Sequence, residues 1–152
     1  MVDLSAHIKY FAYGSNLSFS QMKDRCPGNL KIGMGVLEGY RWIISTRGVA
    51  NVVKSPDDYV LGKVYNITES DKSTLYKREG VAKKCYEEKQ MSILVDGDEY
   101  DCLVYVDPII QEGIPDFKYI SKINEGIADS KLPENYVETY LREKIPLNDK
   151  SF

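Results

Sequence analysis

The chain has one histidine and three cysteines in 152 residues, no excess of positive charge and no apolar run of membrane-spanning length. Each shortage closes a route to function. His7 stands alone in a terminal segment with no Cys or His partner at metal-ligand spacing, so neither a His/Cys metal centre nor a Ser–His nucleophile is expected. The G-x-x-x-x-G-K-[ST] phosphate loop and the G-x-S-x-G elbow are both missing. A net charge of −3 argues against neutralising phosphates or anionic lipid, so neither nucleic acid nor membrane is expected as a partner. Met1 to His7 has no apolar core of the kind a signal peptide carries. Cys26, Cys85 and Cys102 are odd in number. If Asp96-Gly97-Asp98 turns a hairpin, Cys102 faces the region of Ser92 and lies several residues from reach of Cys85. They read as small apolar residues rather than a disulfide framework, and a reducing cytoplasm is the expected compartment.

What is present is one domain's worth of chain, 1–152, with 43% hydrophobic and 28% charged residues and no composition shift or repeat that would divide it. Lys9 to Tyr13 is nearly all apolar and reads as a strand buried on both faces. Ser18 is placed to cap a short helix through Cys26 that ends at Pro27-Gly28. Tyr40 to Ser45, Val49 to Val53 and Tyr59 to Ile67 read as strands, with a turn at Ser55-Pro56-Asp57-Asp58. Thr68-Glu69-Ser70-Asp71 fits a capping box for the next helix. Tyr86 to Val95 and Glu99 to Val106 form a hairpin around Asp96-Gly97. Pro115 opens a helix with the stripe Phe117, Ile120, Ile123 and Ile127, broken at Leu132-Pro133. A last helix follows, roughly Glu134 to Lys144. About six strands with inserted helices do not alternate as βαβ units. The expected class is α+β, mostly antiparallel, with a curved or barrel-like sheet and three to four helices.

Tyr10-Phe11-Ala12-Tyr13-Gly14-Ser15-Asn16-Leu17 is the most informative stretch: a strand, a glycine turn and then a helix start. Such a turn directs backbone N–H groups at one point, and a helix dipole adds partial positive charge there. With nucleophile and metal routes closed, what remains is catalysis by positioning plus one acid/base group. Glu79 differs from the other carboxylates in context, lying against Gly80-Val81 between Lys77-Arg78 and Lys83-Lys84. Read from composition alone, it is a solvated residue at a helix end, since exposed carboxylates are the norm. The 12 tyrosines mostly suit strand faces, and a few suit a pocket with one apolar wall and one hydrogen bond each.

The stretch 10–17 resembles the signature of the γ-glutamylcyclotransferase family, and the resemblance runs along almost the whole chain. Glu79-Gly80-Val81, with Tyr86 five residues beyond Val81, resembles the segment holding that family's catalytic glutamate. Tyr105 stands on the following strand, where the family also has a tyrosine. Tyr119, Gly126 and Leu132-Pro133 resemble its late helix, with Ile127 in place of a small alanine and Lys131 in place of a glycine. The Gly-Ser-Asn form is similar to the branch acting on γ-glutamyl amino acids or amines. The resemblance implies a small γ-glutamyl substrate, cyclised to 5-oxoproline with release of an amine, and no metal or cofactor. It implies Glu79 as the catalytic acid/base, and Tyr10, Phe11, Ala12, Tyr13, Gly14, Ser15, Asn16, Tyr86, Tyr105 and Tyr119 as substrate-binding residues. A non-catalytic small-molecule binding or regulatory protein on the same fold is the alternative. Oligomeric state is open, a homodimer included, and Val137, Tyr140 and Leu141 are expected to cover the core rather than an interface.

Overall fold

The computed structural model describes residues 8–78 and 86–147. Five strands close into a barrel: β1 (Ile8–Ala12), β2 (Leu30–Ile44), β3 (Ala50–Ile67), β4 (Glu87–Val95) and β5 (Asp98–Val106). Their order around the barrel is β1-β3-β2-β4-β5. Every pairing is antiparallel except the closure, where β1 runs parallel to β5 with Tyr10 opposite Leu103. The helices are α1 (Phe19–Arg25), α2 (Glu69–Arg78), α3 (Phe117–Ser130) and α4 (Glu134–Tyr136), the last continuing as a π-helical turn over Val137–Leu141. The molecule is thus α+β, with a mixed five-stranded barrel.

Two strands were expected where one is found. The expected Val49–Val53, from Ala50 onward, and Tyr59–Ile67 belong to the single strand β3, and β2 starts well before Tyr40. The expected turn at Ser55–Asp58 survives as an interruption of the ladder. Glu38 pairs with Tyr59 and Tyr40 with Lys54, so residues 55–58 lie opposite Gly39 alone. The Ser55 hydroxyl donates to Asp58 Oδ2 at 2.5 Å, and Gly39 takes φ 82°. Turn chemistry here produces a bulge in a long strand rather than a break, because hydrophobic pairing resumes in register on both sides.

β1 is buried on both faces, as its composition implies. Phe11 and Tyr13 enter the main core with Val64, Ile93, Cys102 and Val104. Tyr10 and Ala12 face a second core with Leu103, Tyr105, Met22 and Cys26 of the α1 segment, and Leu75 of α2. Period-two alternation feeds two clusters, which is why β1 shows no polar face. Cys26 and Cys102 are buried free thiols. Burial pushes the Cys102 thiol up to about 11, which keeps it protonated and unreactive. Its cross-strand partner is Met91, one residue from the expected Ser92, which pairs with Asp101. Cys85 lies outside the described residues.

Local signals hold where a short-range bond enforces them. Asp96 and Gly97 take φ 51° and 86°, the left-handed pair a two-residue hairpin demands. Thr68 and Asp71 exchange capping-box bonds of 3.0 and 3.1 Å. α3 begins two positions later than Pro115 suggests, at Phe117: Asp116 is its N-cap, accepting from the Tyr119 N–H at 2.8 Å. At its other end Lys131 occupies the left-handed cap position, φ 53° and ψ 46°, that glycine fills at least strain. Lys131→Gly should therefore stabilise the fold by about 0.5–1 kcal/mol after allowing for glycine's freer unfolded chain. Thermal denaturation should show a rise of about 1–4 °C, and a fall would mean the lysine side chain holds something at that corner.

Candidate active site

A cavity of about 620 Å³ opens beside the turn that follows β1. Tyr10, Tyr13, Gly14, Ser15 and Asn16 line it, and so do Tyr86, Tyr105 and Tyr119. The strand, the hairpin β4–β5 and helix α3 therefore bring together residues more than a hundred positions apart in sequence. Phe11 and Ala12, also expected at the site, do not line it. Phe11 points into the main core and Ala12 into the second, and they support the turn from behind. Glu79 lies outside the described residues.

The turn is built tightly. Leu17 N–H donates to Gly14 O at 3.0 Å and Ser18 N–H to Ser15 O at 3.1 Å, closing a single 3₁₀ turn over Ser15–Leu17. A side chain at Gly14 would place its Cβ 3.0 Å from Ala50 Cβ and 3.2 Å from the Tyr119 hydroxyl. The Tyr119 hydroxyl accepts from Ala50 N–H at 2.8 Å, and the Tyr86 hydroxyl donates to Ala50 O at 3.2 Å. Two cavity tyrosines are thus fixed on one residue of β3. Tyr13 donates to Tyr105 O at 2.5 Å while its own carbonyl accepts from Trp42 Nε1 at 2.8 Å. Tyr105 in turn donates to Glu88 Oε2 at 3.2 Å. These bonds hold the aromatic walls in one arrangement.

Asn16 is buried and oriented by three groups. Its Nδ2 donates to the Tyr10 hydroxyl at 2.9 Å. Its Oδ1 accepts from Gln21 Nε2 at 3.0 Å and Arg25 Nη1 at 3.1 Å. Gln21 also donates to Ser15 Oγ at 2.7 Å. The asparagine therefore ties the turn to β1 and α1 rather than standing free as a reactive group, and Ser15 has no base beside it among these partners.

The α1 dipole does not serve the turn as the sequence leads one to expect. The N-terminus of α1 is engaged by carboxylates of α3. Phe19 N–H donates to Asp129 Oδ2 at 2.8 Å, and the Ser18 and Ser20 hydroxyls both donate to Glu125 Oε2. Those two hydroxyl bonds hold the Glu125 carboxyl below its ordinary range. Positive charge at the cavity comes from side chains instead. Arg25, Arg47, Lys118 and Lys122 line it against one carboxylate among the described lining residues, Asp116. Asp116 already serves as the N-cap of α3. Sequence reading missed all of these cations, because they are scattered over α1, the β2–β3 turn and α3, and no local pattern marks them.

Among the described residues no cluster of His, Cys, Asp and Glu suited to a metal ion occurs, and no helix is long and apolar enough to cross a membrane. An aromatic cavity with a cationic lining thus sits beside the turn that follows β1, on a mixed β-barrel. Residues 59–140, more than half of the chain, match the AIG2-like family, and the chain belongs to that family. It is 29% identical to the mouse γ-glutamylcyclotransferase over 143 residues, covering 85% of this chain and 74% of the mouse protein. The human γ-glutamylcyclotransferase is 28% identical over 140 residues with the same coverage. A solved γ-glutamyl cyclotransferase structure superposes with a TM-score of 0.83 at 25% identity, spanning 96% of this chain and 92% of that one.

Proposed function

We propose that this protein is a γ-glutamylcyclotransferase acting on γ-glutamyl amino acids or amines. The observation that carries the reading is the single cavity in which the Tyr-Gly-Ser-Asn turn meets Tyr86, Tyr105 and Tyr119. In this reaction the α-amine of the glutamyl group attacks its own γ-carbonyl carbon. A five-membered lactam closes, the bond to the original amide nitrogen breaks, and 5-oxoproline leaves with a free amine. The nucleophile belongs to the substrate, so the protein's task is to hold the chain curled and to move one proton. Correct placement of amine against carbonyl supplies several kcal/mol, up to about 7–11 in the best intramolecular cases. The tyrosine walls, fixed by the bonds at Ala50, Tyr13 and Glu88, suit that task because they do not need to reorganise when substrate enters.

Glu79 is the residue we assign to the proton: it accepts one as the ammonium becomes nucleophilic and returns it to the departing nitrogen. The assignment rests on the Glu-Gly-Val…Tyr spacing that leads to Tyr86 in the cavity wall. The backbone from Tyr13 to Asn16 is assigned to hold the glutamyl group. A panel of γ-glutamyl amides, assayed for 5-oxoproline, tests the function. Release of 5-oxoproline from at least one amide is expected. No turnover of any of them would favour a non-catalytic binder on this fold.

A further inference from the structure

Arg47 stands at the turn joining β2 to β3, and a buried carboxylate aims it. The turn is short: Ser45 N–H donates to Val49 O at 2.9 Å and Gly48 N–H to Ser45 O at 2.8 Å, with Gly48 at φ 81°. Arg47 N–H donates to Ser45 Oγ at 3.2 Å and its Nε to Asp107 Oδ2 at 3.1 Å. The Asp107 side chain is 0% exposed. Its Oδ2 also accepts from the Ser45 hydroxyl at 3.1 Å, and its Oδ1 from Ile109 N–H at 2.8 Å. Asn51 then clamps its backbone on both sides, donating to Asp107 O and accepting from Asp107 N–H, each at 2.9 Å. The carboxylate has no room to follow the arginine, so the arginine must come to it.

This leaves a guanidinium with one edge fixed and the other presented. Nη1 and Nη2 of Arg47 make no hydrogen bond to a described residue, and the side chain, 34% exposed, forms part of the cavity wall. Of the other three lining cations, Lys118 presents an ammonium rather than a planar fork, and two are already engaged. Arg25 is bonded to Asn16, and Lys122 is paired with Glu125 at 3.5 Å. A guanidinium stays charged at all working pH values, and its planar fork matches a carboxylate in a way an ammonium does not.

We propose that Arg47 binds a carboxylate of the substrate and that Asp107 is the residue that positions it. The ligand's identity rests on the γ-glutamyl reading above. A γ-glutamyl amino acid offers two carboxylates of the same chemistry, the α-carboxylate of the glutamyl group and the one on the departing amino acid. Asp107 contributes no proton and touches no reacting atom. It removes the arginine's freedom before binding, so less order has to be imposed when the anion arrives.

The test uses the full chain and two substrates, γ-glutamyl-L-alanine and γ-glutamyl-ethylamine, which lacks the second carboxylate. Arg47→Gln should raise KM by about 10–100-fold and leave kcat within about threefold, the pattern of lost binding rather than lost chemistry. A penalty on both substrates assigns the α-carboxylate, and a penalty on the alanine substrate alone assigns the departing one. Arg47→Lys should recover only part of the loss, because charge returns without the fork. Asp107→Asn should raise KM in the same direction, and Arg47→Lys keeps the proposal testable if that buried variant does not fold. Calorimetric titration with glutarate gives a readout independent of turnover: wild type should bind it and Arg47→Gln should bind it at least tenfold more weakly. Glutarate binding that is undetectable in wild type, or equal in Arg47→Gln, overturns the proposal. Turnover with an unchanged KM in Arg47→Gln overturns it while the cyclotransferase reading stands. Arg47-dependent glutarate binding without turnover of any amide does the reverse.

Discussion

Glu79→Gln should slow 5-oxoproline formation by about 10²–10⁴-fold, the usual worth of a positioned general acid–base group. Glutamine keeps the size and hydrogen-bonding reach of the side chain and loses only its ability to carry the proton. The loss should fall on kcat more than on KM, since the group acts on a proton in flight rather than on a resting contact. Asp116→Asn is the matched comparison. Asp116 lines the cavity, so it is the competing carboxylate among the described residues, but it is occupied as the N-cap of α3. Asparagine caps a helix nearly as well as aspartate, so the variant should fold. If Asp116→Asn abolishes turnover while Glu79→Gln, folded by circular dichroism, retains it, the acid–base role belongs to Asp116 and our assignment is wrong.

How much of this was legible in the sequence depends on the range of the interaction concerned. The Asp96-Gly97 hairpin, the Thr68–Asp71 capping box and the Ser18 cap are closed by bonds spanning three residues or fewer, and the residues alone announce them. Ser18 does accept from Gln21 N–H, at 3.3 Å. The continuity of β3 through Ser55–Asp58 was not legible, because turn-forming residues look the same in a bulge as in a hairpin. The site divides along the same line. Tyr10, Tyr13 and Asn16 are marked by a motif, whereas Arg25, Arg47, Lys118 and Lys122 converge only once the barrel has closed and α3 lies across it. The mistaken expectation about the α1 dipole has the same origin. Ser18 and Glu125 are 107 residues apart, and Phe19 and Asp129 are 110 apart, so no local pattern could show that the helix end was occupied.

Gly62→Ala should cost about 3 kcal/mol of stability, at the upper end of what overpacking does. Gly62 on β3 pairs with Gly35 on β2, and the two glycines face the Phe11 ring from the barrel wall. A Cβ at Gly62 would lie 2.8 and 2.9 Å from Phe11 Cε1 and Cζ, and would press on the Ala12 carbonyl oxygen. One at Gly35 would meet Ile93 Cγ2 at 2.6 Å and Val64 Cγ2 at 2.7 Å. The ring could yield by a rotamer change, but the Ala12 carbonyl belongs to β1, whose register with β3 is fixed from Ile8↔Ile67 to Ala12↔Lys63. Relief therefore means displacing the strand that carries Tyr10 and leads into the Gly14 turn. The entropy gained by removing a glycine from the unfolded chain, about 0.4–1 kcal/mol, offsets only part of this. Thermal denaturation should show a fall of about 6–12 °C. Gly33→Ala is the control on the same barrel wall, since its Cβ would meet only Val95 Cγ1 at an ordinary 3.4 Å, and it should melt within a few degrees of wild type. Phe11→Leu in the Gly62→Ala background separates the two contacts. Little rescue is expected, because the carbonyl remains. Full rescue would put the conflict on the ring and leave β1 undisturbed, and a Gly62→Ala protein as stable as wild type would show that the barrel has slack where the contacts say it has none.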